Sequence, residues 1–163
     1  STPYLIDKTF TKIKDLSNVF EGPFSDGLAK AKASYGSNRY FYDKKGNIAI
    51  TLTSTAETGD FKNGRASVKQ QYSNKFYFID KAGKKINNEE YEEVGPFSEY
   101  LAGVKEDGKA GYIDTTGKWI IPNKFDVGST FQNGSAVVKD GNEYYLINKK
   151  EIMPIGYRNA ALI

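Results

Sequence analysis

The 163-residue sequence contains neither cysteine nor histidine. Without cysteine the chain has no disulfides, no thiol nucleophile and no cysteine-based metal site. Without histidine it lacks the side chain that most often acts as a general base or a metal ligand. The sequence therefore predicts a protein that is not an enzyme and that needs no metal or cofactor. Only a hydrolase built on Asp and Glu remains as a weaker catalytic alternative.

The sequence also has no strong excess of positive or negative charge, and it has no long apolar run. The formal net charge is +3, from 23 basic and 20 acidic residues, and the only arginines are Arg39, Arg65 and Arg158. Nucleic-acid binding needs a concentrated positive patch, and phosphate recognition favours arginine. We therefore expect no nucleic-acid partner, and no membrane span because no apolar run is long enough. The compartment stays open between the cytoplasm and export with removal of a signal peptide.

Glycine and the aromatic residues are abundant, with 16 Gly, 12 Tyr and 10 Phe. Aromatic side chains favour strands and glycine favours turns, and no segment keeps a helical period. The composition predicts an all-β protein.

An aromatic segment that ends in Asp or Asn recurs in steps of 36, 37, 34 and 34 residues, at Asp7, Asp43, Asp80, Asp114 and Asn148. In three copies a glycine follows three residues later, at Gly46, Gly83 and Gly117. Asp followed by this glycine is typical of a type I turn in which the carboxylate accepts main-chain N–H bonds. We interpret the recurring Asp as a turn former rather than a metal or catalytic carboxylate.

A second signature, Phe-x-x-Gly, keeps the same period at Phe24, Phe61, Phe97 and Phe131, with Tyr100 where the third copy should have glycine. One such phenylalanine per repeat predicts a buried anchor. The two signatures divide a single domain into a partial unit 1–23 and units 24–60, 61–96, 97–130 and 131–163.

Each unit is predicted to hold three antiparallel strands. The first strand follows the Phe-x-x-Gly turn, the second is the aromatic segment, and the third is clearest at 118–121. Asp107-Gly108 and Asp140-Gly141 predict tight hairpins between the first two strands, because Asp-Gly suits two central residues with positive φ.

The best unit resembles the bacterial WG-repeat (KWG-repeat) family. The resemblance rests on Leu101-Ala102-Gly103-Val104, Gly111-Tyr112-Ile113-Asp114 and Gly117-Lys118-Trp119-Ile120-Ile121-Pro122. The namesake Trp-Gly pair is Ala110-Gly111 here, and the other copies have Phe76-Tyr77, Tyr144-Tyr145, Arg39-Tyr40 and Pro3-Tyr4. The family's members are bacterial, often exported or joined to other modules, and some resemble immunity proteins. The resemblance implies a binding role without naming the partner.

Small units of this kind must stack on their neighbours or close into a ring to bury both faces. The sequence predicts tandem three-stranded meanders in either a propeller-like arrangement or an open twisted array. A ring could close if the opening strand, residues 4–7, paired with the C-terminal unit.

Two sets of residues are candidates for binding. Lysines at the turns after the recurring Asp should lie along one rim and steer an acidic partner, although turn tips also collect lysines for solubility alone; the candidates are Lys44, Lys45, Lys84, Lys85 and Lys118. Four tyrosines fall outside the buried pattern and could stack on sugars; they are Tyr35, Tyr72, Tyr100 and Tyr157.

The acidic run Glu89, Glu90, Glu92 and Glu93 could in principle form a glycosidase-like pair or a calcium site. A solvated loop is the better interpretation, because catalytic carboxylates normally converge from distant strands. The sequence thus favours a non-catalytic domain that binds another protein, such as an immunity or adaptor protein. The alternative is a cell-envelope or glycan-binding module that uses exposed tyrosines.

Overall fold

The computed structural model of the chain describes residues 3–150 and 152–155, and all regular secondary structure in these residues is β. A two-stranded sheet opens the chain, formed by β1 (Tyr4–Ile6) and β2 (Lys12–Asp15). Four further antiparallel sheets follow in chain order, so the predicted all-β repeat fold is confirmed.

The first two of these sheets span residues 19–79. The first contains β3 (Val19–Phe20), β4 (Leu28–Lys32), β5 (Arg39–Asp43) and β6 (Ile48–Leu52). The second contains β7 (Thr55–Thr58), β8 (Ala66–Gln70) and β9 (Phe76–Ile79).

The last two sheets have four strands each. One contains β10 (Glu93–Val94), β11 (Leu101–Glu106), β12 (Lys109–Asp114) and β13 (Trp119–Phe125). The other contains β14 (Val127–Gly128), β15 (Ala136–Asp140), β16 (Glu143–Ile147) and β17 (Ile152–Ile155). The chain divides into an N-terminal unit, Ser1–Asn74 with Phe78–Lys85, and a C-terminal unit, Lys75–Tyr77 with Ile86–Ile163.

Each four-stranded sheet contains the predicted meander of three strands and a two-residue strand ahead of it. The short strands β3, β10 and β14 pair with the first long strand of their sheet, and they precede the Phe-x-x-Gly turn. The second repeat departs from the pattern, because single bridges at Ile79–Lys85 and Phe76–Tyr91 replace its third strand. The polar run Asn87-Asn88-Glu89-Glu90 explains this, since it offers no alternating apolar face.

The opening strand pairs with the strand that follows it in sequence. Tyr4 lies opposite Asp15, and β1 pairs along its length with β2. Leu16, which follows β2, is buried against Ala31 and Tyr42, with Leu5 packed on the same cluster. The N-terminal residues thus pack within their own unit, and the pairing of residues 4–7 with the C-terminal unit stays a prediction.

The tight hairpins follow the sequence in one case and shift by a residue in the other. Asp107 and Gly108 both have positive φ, 51° and 73°, and they form the two-residue turn between β11 and β12. Asp140 instead ends β15 opposite Glu143, so that Gly141 is the first turn residue, with φ 58°. The predicted Asp-Gly turn is therefore correct at 107–108 and one residue out of register at 140–141.

The recurring phenylalanine is a buried anchor in three of its four copies. Phe61 packs edge-to-face on Phe41, with ring centroids 4.8 Å apart, and Phe131 packs in the same way on Tyr112 at 4.9 Å. Each ring thus rests on the aromatic strand of the preceding repeat. Phe24 is 38% exposed, and the position of the opening strand that corresponds to Phe41 and Tyr112 carries Leu5 instead of a ring. The anchor prediction is wrong for Phe24 alone.

Candidate functional site: two opposite edges of the repeats

Every described candidate residue lies in a loop or turn at one of the two ends of the strands. In the N-terminal unit β5 begins after the loop 33–38 and ends at the Asp43 turn. Since a strand rises about 3.3 Å per residue, the loop 33–38 and the Asp43 turn lie at opposite ends of β5. We call the side with the loops between the first two long strands the hairpin edge. We call the side with the Asp turns and Phe-x-x-Gly turns the turn edge.

On the turn edge each recurring Asp closes its own turn. Asp43 Oδ1 accepts the main-chain N–H groups of Lys45 and Asn47, both at 2.9 Å. Asp80 and Asp114 make the same pair of bonds, at 2.9 and 3.0 Å and at 2.8 and 3.1 Å respectively. Gly46, Gly83 and Gly117 have φ of 78°, 80° and 85°. The predicted turn role of these carboxylates is confirmed.

Turn hydrogen bonds also lower the pKa of three recurring carboxyls, those of Asp7, Asp43 and Asp114. The N–H of Asn47 is the main reason that the pKa of Asp43 lies below its ordinary value. At Asp114 burial raises the pKa, but hydrogen bonds from Thr116 and Lys118 outweigh it and the pKa is lowered. Asp7 forms the same turn, and its pKa is lowered mainly by the Thr9 hydroxyl. These three carboxylates thus act as hydrogen-bond acceptors within their own turns.

The turn edge also joins repeats in pairs. Ser25 Oγ donates to the carbonyl of Phe61 at 2.6 Å, and Asp26 Oδ2 accepts the N–H of Gly64 at 2.8 Å. In the C-terminal unit Ser98 and Glu99 make the same bonds to the next repeat, at 2.8 Å to the carbonyl of Phe131 and 2.9 Å from the N–H of Gly134. Each unit is thus a pair of repeats joined by two equivalent bonds.

The joining of repeats in pairs could have been recognised in the sequence from the two residues that follow each recurring Phe. The residue after the recurring Phe alternates as Ser25, Lys62, Ser98 and Gln132. The next position alternates between acidic and amide residues, Asp26, Asn63, Glu99 and Asn133. The turn sequences therefore repeat with a period of two repeats, in addition to the period of one.

The candidate lysines are exposed on the turn edge. Lys44 and Lys45 follow Asp43, Lys84 and Lys85 follow the Asp80 turn, and Lys118 follows the Asp114 turn. Two further turn lysines are tied to the preceding repeat of their own unit: Lys81 Nζ donates to the carbonyl of Asp26, and Lys149 Nζ to that of Glu99 at 3.2 Å. Part of the predicted lysine rim therefore cross-links repeats.

The structure brings two of the candidate tyrosines to one edge. Tyr35 is 93% exposed and Tyr72 is 98% exposed, and they lie on corresponding loops of adjacent repeats, between β4 and β5 and between β8 and β9. Tyr100 is 66% exposed, but it lies on the turn edge of the C-terminal unit. Tyr157 lies outside the described residues.

Main-chain bonds connect the Tyr35 and Tyr72 loops. The N–H of Thr55 donates to the carbonyl of Ser37 at 2.8 Å, and Thr55 lies opposite Gln70 in the β7–β8 pair. The N–H of Gln71 donates to the carbonyl of Ser54 at 2.7 Å. Thr55 itself is 1% exposed. The buried Thr55 segment thus holds both loops side by side on the hairpin edge.

Tyr72 also has an unfavourable backbone conformation. Its φ is 69°, in the left-handed region, which costs a residue with a Cβ roughly 1–2 kcal/mol. A bulky residue is rare at such a φ, and such strain tends to collect at functional sites. Burial of the ring does not offset this strain, because the side chain is almost wholly exposed.

Two members of the acidic run are engaged by neighbouring groups of the same sheet. Glu93 begins β10 and pairs with Lys105 at 2.9 Å, and Glu92 Oε2 accepts the N–H of Gly108 at 3.0 Å. Within residues 3–150 and 152–155 no group of three acidic side chains is placed to hold a metal ion. None of these residues forms a helix of the length and apolar character that a membrane crossing requires.

Comparison with known proteins agrees with this description of an all-β repeat protein. A profile of the family described as WG containing repeat matches residues 41–72, 78–109 and 111–144, which together are more than half of the chain. The chain belongs to the WG-containing-repeat family. No curated protein sequence matches it.

Among solved structures the chain is similar to the propeller-like protein Hsv2 of Kluyveromyces lactis. The form with a complete loop 6CD gives a TM-score of 0.58 at 8% identity, covering 94% of this chain and 55% of that one. The form with loop 6CD replaced by a Gly-Ser linker gives 0.56 at 7% identity, covering 90% and 55%. The chain spans about half the length of these structures, and the likeness concerns the fold alone.

Proposed function

We propose that this chain is a non-catalytic protein-binding repeat domain that contacts its partner through the hairpin edge of the N-terminal unit. The observation that carries the proposal is the exposure of Tyr35 and Tyr72, 93% and 98%, on adjacent loops. In repeat proteins, insertions map to loops on one face, and that face is often the binding face.

The loops between the first two long strands are longer in the N-terminal unit than in the C-terminal unit, and longer loops offer more surface for contact with a partner. In the C-terminal unit the corresponding hairpins are two-residue turns, at 107–108 and 141–142. In the N-terminal unit they are enlarged to 33–38 and 71–75. A tight turn is enough to join the strands, so the longer loops are an addition that strand pairing does not explain.

The composition of the enlarged loops supports contact with a protein. Residues 33–38 read Ala-Ser-Tyr-Gly-Ser-Asn and residues 71–75 read Gln-Tyr-Ser-Asn-Lys, so Lys75 is the one charged side chain in the two loops. Antibody loops use the same residue types, because tyrosine offers a large amphipathic surface at low entropic cost while Ser, Gly and Asn adapt their hydrogen bonds. An immunity or adaptor protein is one form that such a function would take.

We also propose that the domain is not an enzyme. The carboxylates that recur once per repeat, which are the natural candidates for acid–base work, are engaged by main-chain N–H groups of their own turns. The hydrogen bonds of Asp43 and Asp114 lower the pKa of each carboxyl, whereas a general acid near neutral pH requires a raised pKa.

The test is to replace both tyrosines and measure binding to the protein partner. Host proteins retained by the immobilised chain are purified, and each is titrated by calorimetry against the wild type and against Tyr35→Ser/Tyr72→Asn. Asn tolerates the positive φ at position 72. We expect the dissociation constant to rise by roughly tenfold or more, as for a pair of buried hot-spot tyrosines. Tyr100→Gly is the matched control and should leave it unchanged.

A glycan is the second candidate partner, because two exposed rings beside Asn and Ser side chains could also stack on a sugar chain. Purified envelope polysaccharides titrated in the same way separate the two. Binding of a polysaccharide that the double variant loses, with no protein affected, would replace the protein-binding proposal. Full retention of protein affinity in the double variant would exclude the hairpin edge as the contact surface.

A further inference from the structure

β6 is an edge strand of its sheet, because the strands lie in the order β3-β4-β5-β6. Among the residues that the structure describes, no strand or bridge pairs with its outer side. Ala49 and Thr51 are exposed, and Ile48 is 47% exposed. The unpaired N–H and C=O groups of an edge strand can bind a strand of another chain.

The main-chain groups of Thr51 point to this outer side. The carbonyl of Lys30 accepts the N–H of Glu21, so the main-chain groups of Lys30 face the side of β3. In an antiparallel pair, two opposed residues either bond to each other or both point away. Phe41, opposite Lys30, therefore faces β6 and bonds to Ile50. Since successive residues of a strand alternate in direction, Thr51 faces outward.

Proline takes the place of Thr51 in the last sheet. Thr51 lies opposite Tyr40 in β5, and Pro154 of β17 lies opposite Tyr145 in β16. Tyr40 and Tyr145 correspond, because each stands three residues before the recurring Asp or Asn of its repeat. Proline has no N–H, so it removes the donor that would bind a further strand.

The sheet β10–β13 also has proline at this place. Pro122 follows Ile121, the partner of Tyr112, just as Thr51 follows the partner of Phe41. Tyr112 and Phe41 correspond, because each stands two residues before the recurring Asp of its repeat. The outer side of β13 therefore lacks the same donor as that of β17.

In the opening sheet a charged residue holds the place. Asp15 of β2 lies opposite Tyr4, which is again three residues before the recurring Asp. β2 also contains Lys12 and Lys14, and charges on an edge strand oppose pairing with another chain. Residues 46–56, which include β6, contain neither a charged residue nor proline. Of β2, β6, β13 and β17, only β6 has an uncharged residue with an N–H group at this place.

We propose that β6 pairs with β6 of a second copy of this chain, antiparallel across a two-fold axis at Thr51. The N–H of Thr51 in each copy then donates to the carbonyl of Thr51 in the other, and Ile50 lies opposite Leu52. A two-fold contact requires a self-complementary surface. Residues 49–53 meet this requirement, because they read Ala-Ile-Thr-Leu-Thr, with an apolar residue on each side of Thr51 and no charge to repel the copy.

A second copy suits this strand better than a different protein does. Strand addition gains affinity from main-chain bonds, whereas specificity for a different partner comes from pockets that receive alternate side chains. The exposed residues Ala49 and Thr51 are small and uncharged, and opposed threonines on two strands form a favourable pair. The inference goes beyond the proposed function, which concerns the hairpin edge and another protein.

Association of the purified chain tests the proposal without any other molecule. A strand pair of this length buries less than the roughly 1,200 Å² of a stable interface, so we expect a weak dimer whose fraction rises with concentration in sedimentation equilibrium. Thr51→Pro removes the N–H and should raise the dissociation constant by roughly tenfold or more, since the two-fold axis doubles the loss. The fold accommodates proline at this place, as Pro122 and Pro154 show.

Two further variants assign the contact to β6. Thr51→Val keeps the N–H and a β-branched side chain, and it should dimerise like the wild type. Thr51→Lys puts like charges opposite each other at the axis and should weaken the dimer, and it serves if circular dichroism shows that Thr51→Pro does not fold. In the wild type, hydrogen exchange at the Thr51 amide should slow as the dimer forms.

A wild-type chain that stays monomeric up to about 1 mM would overturn the proposal. So would a dimer that persists in folded Thr51→Pro or Thr51→Lys, because another surface would then hold it. Tyr35→Ser/Tyr72→Asn should dimerise like the wild type, and loss of the dimer in that variant would assign the contact to the hairpin edge instead. The proposed function is tested by binding of a different protein, so the two proposals fail separately.

Discussion

Ser25 donates its hydroxyl hydrogen to the carbonyl of Phe61 at 2.6 Å, 36 residues further along the chain. The bond ties the turn of one repeat to the buried anchor of the next, and Ser98 and Phe131 repeat it in the C-terminal unit. Lys62 and Gln132 occupy the serine position in the other two repeats. The serine therefore marks the first member of each pair of repeats.

Removing either serine should loosen its own pair. We expect Ser25→Ala and Ser98→Ala each to lower the free energy of unfolding by about 1 kcal/mol, the usual contribution of a part-buried hydrogen bond. Urea denaturation followed by circular dichroism measures this, with Ser34→Ala in an exposed loop as the control. Equal stability of all three variants would mean that the bond to Phe61 or Phe131 contributes nothing net.

Tyr100 holds the place of a glycine at a cost in backbone conformation. Its φ is 65°, close to the 79° of Gly134 at the corresponding position. Tyr100→Gly should raise the free energy of unfolding by about 1 kcal/mol, because glycine adopts this φ without a steric penalty.

Gly134→Tyr is the reverse experiment and should lower stability by a similar amount. A Cβ at Gly134 would meet no atom within 4 Å, so the loss would come from the backbone alone. Thermal unfolding of both variants gives the comparison. If Tyr100→Gly is less stable than the wild type, contacts of the tyrosine ring outweigh the strain.

The Asp turns should make stability depend on acidic pH. The pKa of Asp43 is lowered first by the N–H of Asn47, and that of Asp114 by the hydrogen bonds of Thr116 and Lys118 acting against burial. A depressed pKa in the folded state means that the stabilisation is present above the unfolded value, about 4, and is lost as pH falls through the folded value.

Asp43→Asn/Asp80→Asn/Asp114→Asn should therefore be modestly less stable than the wild type at neutral pH, since Asn also forms such turns. Its stability should fall less between neutral pH and acid than that of the wild type, and partner binding should be retained. Denaturation series across this pH range, with calorimetry for binding, measure both. Loss of binding by a chain that is still folded would assign these carboxylates a role beyond the turn.

The exposed lysines of the turn edge should act on the rate of association. Reversing Lys44, Lys45, Lys84 and Lys85 to Glu should slow association with an acidic partner and weaken its salt dependence, while dissociation changes little. Stopped-flow kinetics at low and moderate salt provide the measurement. Unchanged association would show that the lysines only keep the protein soluble.

The sequence alone was sufficient to predict the repeat and the local turns within it. Asp43 and Gly46 specify a turn through bonds within a few residues, and Phe61 marks one anchor per repeat because its period is that of the fold. The strands were equally readable, since aromatic segments and turns alternate along the chain. Such features depend on neighbours in sequence, whose chemistry is visible without coordinates.

Only the tertiary structure decided which candidate residues share a surface. Tyr35, Tyr72 and Tyr100 look alike in sequence, yet strand pairing places the first two on the hairpin edge and Tyr100 on the turn edge, because each strand carries its two flanking loops to opposite sides. Local chemistry fixes the turns, whereas a binding surface is made by the packing of one repeat on another.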